Sequence, residues 1–169
     1  MGLDFAAVFK EPLSYKGEKN KQFTPFSRAL SNFFYANYYG EDSTLEEIEQ
    51  LNEIQTKFLI APNLHEYQVD EMQLEFAEGE RLDELIKEQK ELKNNSHEGW
   101  CNIPEYLDNI NIIINELSNS NKLSKLKEIG KNWSNYIHSG EFVNDLIKLK
   151  ELLEVAKKEN QTEFSFEIY

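Results

Sequence analysis

Three histidines, one cysteine and 31 acidic residues are the side chains of this 169-residue chain with the most capacity for chemistry. Their spacing limits what they can do. His65-Glu66 opens like the His-Glu-x-x-His helix of a zinc protease, but Val69 stands where the second histidine is needed, and a metal site is not closed by a missing ligand. His97 and His138 are equally isolated, so with Cys101 they make no Cys/His zinc spacing. No Gly-x-Ser-x-Gly elbow is present, and the seven glycines never form a loop that could cradle a phosphate. Cys101 gives the one nucleophile signal: it lies beside Trp100 just ahead of a helix start, where the helix N-terminus favours a thiolate. The competing reading is a small apolar residue tucked into that start. Paired carboxylates could support sugar chemistry, but acids are so abundant that any fold would bring two together. The sequence therefore calls for no metal and no cofactor.

The acids are not spread evenly. Residues 41–98 hold 17 Asp and Glu against 5 Lys and Arg, a net of −12, whereas the rest of the chain carries 14 acids and 13 bases. The chain's net charge of −13 is thus a local property. Such a segment can receive a basic partner, or it can be a solvated surface that maintains solubility. Direct nucleic-acid binding is disfavoured by the sign of the charge, despite local clusters at Lys16/Lys19/Lys21 and Lys122/Lys125/Lys127/Lys131. The longest apolar runs are too short to cross a bilayer. A single cysteine and an N-terminus without a secretory pattern lead to the expectation of a reducing cytoplasm.

The elements that must position these residues follow from periodicity. Leu3, Phe5, Ala7 and Phe9 recur at every second place and predict a strand, followed by a basic loop through Lys16–Lys21. Thr24 as cap and Pro25 in the first turn predict a helix to about Tyr39, with Phe26, Leu30, Phe33, Phe34 and Asn37 or Tyr38 as its buried stripe. Ser43-Thr44-Leu45-Glu46 has capping-box order and starts a second helix, with Leu45, Ile48, Leu51, Ile54 and Phe58 inward and acids outward. From Leu64 to Phe76 the alternation shifts parity once, as two short strands or a bulged one would, and the pattern leaves strand and helix both open. Leu82, Leu85, Ile86, Gln89 and Leu92 mark another amphipathic helix, and the polar run Asn94–Gly99 is the best loop.

Asn102 ahead of Pro104 and Glu105 signals a further helix start, carrying Ile103, Leu107, Ile110, Ile114 and Leu117. Phe142, Leu146, Leu149, Leu153 and Ala156 repeat those steps, and Leu123, Leu126, Ile129, Trp133 and Ile137 lie between them. Residues 102–158 thus read as a three-helix hairpin. Glu163–Tyr169 alternates strictly and predicts a strand that pairs with the N-terminal one. The expected fold is mainly α (α+β): about six helices and a small sheet from the two ends, in a single domain over 1–169 with a weak subdivision at 94–101.

In size, acidity and lack of a catalytic motif the chain resembles the small bacterial immunity proteins, which neutralise a co-encoded toxin by covering its active site. That resemblance implies a non-enzymatic inhibitor whose partner is a basic toxin or nuclease. Opposite fields speed encounter, and aromatic anchors amid the acids hold the interface. Glu46, Glu49, Glu53, Glu71, Glu75, Glu80, Asp83 and Glu84 are the candidate acidic rim, with Tyr67 or Trp100 as anchor. The alternatives are a phage-type DNA mimic, which needs acids along a ridge at phosphate-like spacing, and an enzyme with converging carboxylates in a deep pocket.

Overall fold

The computed structural model describes residues 4–38, 44–45, 47–48, 69–96, 99–119, 124 and 133–168. Among them, four strands form one antiparallel sheet: β1 (Phe5–Tyr15), β2 (Glu18–Pro25), β3 (Cys101–Asn102) and β4 (Glu163–Ile168), in the order β2-β1-β4-β3. The two ends of the chain therefore lie side by side, with Phe5 opposite Ile168, Ala7 opposite Phe166 and Phe9 opposite Phe164. This register places Phe5, Ala7 and Phe9 of β1 and Phe164 and Phe166 of β4 on one buried, largely aromatic face. Six helices are delimited among the described residues: α1 (Arg28–Tyr38), α2 (Glu71–Phe76), α3 (Glu80–Ser96), α4 (Ile103–Leu117), α5 (Ser134–His138) and α6 (Glu141–Lys158). None of them is long and apolar enough to cross a membrane.

β1 is longer than its alternation predicts. Its pairing with β2 slips between Val8 and Leu13, where Lys10, Glu11 and Pro12 are exposed. A proline without an N–H is tolerated at such an irregularity. The backbone groups freed there are taken up by side chains: Gln22 donates to the Lys10 carbonyl at 2.9 Å, and Gln161 donates to that of Glu11 at 2.7 Å. The segment expected to be a basic loop is instead the return strand of a hairpin. Lys16 and Gly17 form its two-residue turn, both at positive φ (50° and 78°) with Tyr15 opposite Glu18, as the right-handed twist of the strands requires. β2 is an edge strand, so its run of polar residues shows no alternation.

The first helix also starts later than expected. Thr24 and Pro25 end β2, opposite Ala7 and Ala6, and an edge strand can end on a proline. Ser27 is the cap, its hydroxyl accepting from the Leu30 N–H at 3.1 Å. The stripe itself is as the spacing requires, with Leu30, Phe33 and Phe34 buried. Phe33 packs on Phe142 of α6 at 4.8 Å between ring centroids and on Trp133 at 5.2 Å, while Tyr106 of α4 meets Phe164 of the sheet edge-on at 4.9 Å. Thr44, Leu45 and Ile48, at the start of the expected second helix, are helical and buried; the rest of that helix lies outside the described residues.

α4 and α6 match their predicted stripes. Asn102 accepts from the Glu105 N–H at 3.0 Å with Pro104 in the first turn, and Gly140 at φ 82° opens α6. The two helices pack against each other and α5 packs on α6. Of the expected middle helix of a three-helix hairpin, residues 120–123 and 125–132 lie outside the described residues. The described part, Ser134–His138, is a short helix with Ile137 buried.

One buried charge ties these elements together. Asp145 on α6 is 8% exposed and accepts from the cap hydroxyl of Ser27, from Tyr136 Oη on α5 at 2.9 Å, and from Lys148 Nζ at 3.0 Å. A carboxylate out of water needs that many donors. The start of α1, α5 and α6 are thereby joined at one atom group.

Candidate functional site

The acidic middle of the chain is described from Val69 onward. Asp70 caps α2, its carboxylate accepting from the Met72 N–H at 2.9 Å, with Glu71 in the first turn. After Ala77 the chain turns extended, and Gly79 at φ 59° reverses it into α3, whose first turn carries Glu80 and Asp83. Acids at both helix starts are stabilised by the positive end of the helix dipole. α2 and α3 pack against each other, and Gln89 on α3 accepts from the Val69 N–H at 2.7 Å. The segment 64–76, open between strand and helix in the sequence, is helical over Glu71–Phe76, and residues 64–68 lie outside the described residues. Met72 and Phe76, which read as alternation, are four residues apart on one helical face. α2 has no buried residue, so it lacks the buried stripe from which a helix is recognised.

Of the predicted rim, Glu71 and Glu75 lie on α2 and Glu80, Asp83 and Glu84 on α3, all exposed. Their ion pairs are local and solvated: Arg81 with Glu84 at 3.2 Å, and Lys87 with Glu91 at 4.0 Å. Exposed pairs of this kind contribute about 0.3–0.5 kcal/mol and leave the segment's negative field in place. Glu46, Glu49, Glu53 and Tyr67 lie outside the described residues. Trp100 is half-buried, with the Lys10 ammonium 4.9 Å above its ring and Lys10 also paired to Glu163.

Three residues that the sequence reading placed in apolar patterns rather than at the site are prominent here, and Ile86 departs from the buried stripe expected of its helix. Phe76 is 74% exposed, Met72 67% and Ile86 54%. They are half of the six large apolar side chains left exposed among the described residues, the others being Phe23, Ile112 and Ile147. Single exposed apolar residues are ordinary. Three on two adjoining helices, which together carry seven acids against four bases, are a concentration.

Of the two readings of Cys101, the structure bears out the small residue tucked in at a helix start. The thiol is buried in the core, and burial first, then the negative charges of Glu105 and Glu163, push its pKa up to about 12. Desolvation outweighs whatever the start of α4 offers, and the thiol stays protonated at neutral pH. The cavity beside Asp145 holds that one carboxylate, already paired to Lys148, rather than two converging acids. No group of three His, Cys, Asp or Glu side chains arranged to hold a metal ion occurs among the described residues.

Known proteins add nothing to this geometry. No family model matches the chain. No curated protein and no solved structure matches it either. The surface of α2 and α3 must therefore be read from its chemistry alone. It offers a negative field, which draws a cationic surface, and unburied apolar side chains, which gain by being covered.

Proposed function

We propose that this chain is a binding protein of the immunity type, which captures a basic toxin or nuclease through the acidic helix pair α2–α3. One observation carries the reading: exposed Phe76, Met72 and Ile86 stand among exposed Glu71, Glu75, Glu80, Asp83 and Glu84. A surface kept acidic only for solubility has no use for three large apolar side chains. An interface does, because apolar anchors in a desolvated centre supply most of the binding energy while a charged rim sets encounter rate and specificity. The same residues favour a protein partner over phosphate mimicry, in which spaced carboxylates alone occupy a nucleic-acid groove.

The test uses the intact chain immobilised in lysate at low and high salt, followed by assay of the captured protein's own activity. The expected outcome is a basic protein retained at low ionic strength, released by salt, and inhibited by the wild-type chain. Phe76→Ala should weaken the complex by about 2 kcal/mol or more, roughly 30-fold. Reversing Glu71 and Glu75 to Lys should mainly slow association. Capture of nothing at low salt, or capture indifferent to both changes, would overturn the proposal.

A further inference from the structure

A cavity of about 140 Å³ lies between the β1–β2 turn, the start of α1 and the face of α6. Its walls are largely apolar, formed by Phe26, Leu30, Leu149 and Leu152 together with Pro25, and its polar groups are Thr24, Ser27, Asp145, Lys148 and Lys16. An engineered apolar cavity of about 150 Å³ accommodates a benzene ring, so this one suits a body of that size.

The hydrogen-bonding capacity left in the cavity is of one kind. Asp145 accepts from Ser27, Tyr136 and Lys148 and is largely satisfied. Lys148 gives one N–H to Asp145 at 3.0 Å, and an ammonium has further N–H groups to donate. Lys16 brings a second ammonium, 5.2 Å from the Tyr15 ring centroid. Two cations against one engaged carboxylate leave the cavity net positive, in a chain of net charge −13.

We propose that this cavity is a binding site for a small carboxylate with an apolar body, such as an aromatic or branched-chain acid. Its carboxylate accepts from the ammonium groups of Lys148 and Lys16, and its hydrocarbon part lies on Phe26, Leu30 and Leu152. The site shares no residue with α2–α3, so it stands or falls independently of the toxin-capture reading.

Titration of the isotope-labelled full chain with benzoate and isovalerate, followed by amide chemical shifts, tests it. Saturable shifts are expected at Thr24, Ser27, Leu149 and their neighbours, with binding in the millimolar range or tighter. The uncharged amides of the same acids should bind at least tenfold more weakly, since a charge-assisted hydrogen bond is lost. Lys16→Gln, at the exposed turn, should weaken benzoate by roughly five- to tenfold. Lys148→Gln should weaken it by roughly tenfold or more; if that variant does not fold, the amide comparison and Lys16→Gln still decide. Absence of saturable shifts around the cavity, equal binding of acid and amide, preference for isopentylamine over isovalerate, or benzoate binding unchanged in folded Lys16→Gln would each overturn the proposal.

Discussion

Replacing Asp145 by Asn keeps the side chain's shape and removes the charge on which Ser27, Tyr136 and Lys148 converge. Each donor then faces a weaker acceptor or none, and the variant should lose about 1–3 kcal/mol of stability, seen as a lower urea midpoint at unchanged slope. Tyr136→Phe should cost about 1 kcal/mol, and the two changes together less than their sum, because they remove the same bond. The second residue-scale prediction concerns alkaline pH. The Cys101 thiol lies above its ordinary value of 9.0, at about 12, and burial likewise raises the phenols of Tyr106 and Tyr136, the latter helped by the neighbouring Asp145 charge. The folded protein holds these protons longer than the unfolded chain. The stability they contribute is complete below the unfolded values and is lost as pH rises through the folded ones. Unfolding free energy should therefore fall above about pH 9, and Cys101→Ala should flatten the early part of that fall. Thiol labelling of the native protein at neutral pH should be far slower than that of the unfolded chain.

Elements are held here by a few local devices, and two of them give predictions of opposite sign. Lys16 occupies a left-handed position (φ 50°) beside Gly17, and Asn is far better suited to that backbone, so Lys16→Asn should stabilise the hairpin by roughly 0.5–1 kcal/mol. Gly17→Ala should cost roughly 1–2 kcal/mol from backbone strain alone, since an added Cβ there meets nothing within 4 Å. Thermal unfolding of both variants measures the difference. Asp70→Ala removes the cap of α2, worth about 1 kcal/mol. Because α2 buries no residue, the effect should appear as faster amide exchange at residues 72–76 and weaker capture of the partner, with little change in global stability.

At the scale of the whole molecule, β4 is the strand on which the fold closes. It lies between β1 and β3, and its Phe164 and Phe166 face the rings of α1 and α4. Phe164→Ala should cost about 3–5 kcal/mol and shift unfolding by every probe together, and the amides of β4 should be among the slowest to exchange. A loss confined to one end of the molecule would show instead that the terminal strands are an appendage. Much of this architecture is legible in the sequence. The strict alternation of Glu163–Ile168 and the three- and four-residue steps of α4 and α6 are what burial of one face demands, and that demand acts on neighbours in the chain. Asn102 shows its role for the same reason, because a cap is local chemistry. The location of the negative charge, and with it the candidate surface, is a matter of counting.

Other features required the fold. β2 is polar because it lies at the sheet edge, and α2 looks like a strand because an exposed helix carries no buried stripe; in both, the local pattern is silent where burial is incomplete. Phe76 and Met72 belong by composition to a core, and only the packing of α2 against α3 leaves them in solvent. Cys101 stands at a helix start, which favours a thiolate, but the core closes over it and desolvation prevails. Ser27, Tyr136 and Asp145, like Thr24 and Lys148, have no pattern in common along the chain; they meet because the β1–β2 turn, α1, α5 and α6 fold together there. Periodicity and charge are written along the chain because each residue's neighbours determine them, whereas a cavity or a satisfied buried carboxylate exists only between segments that the sequence keeps apart.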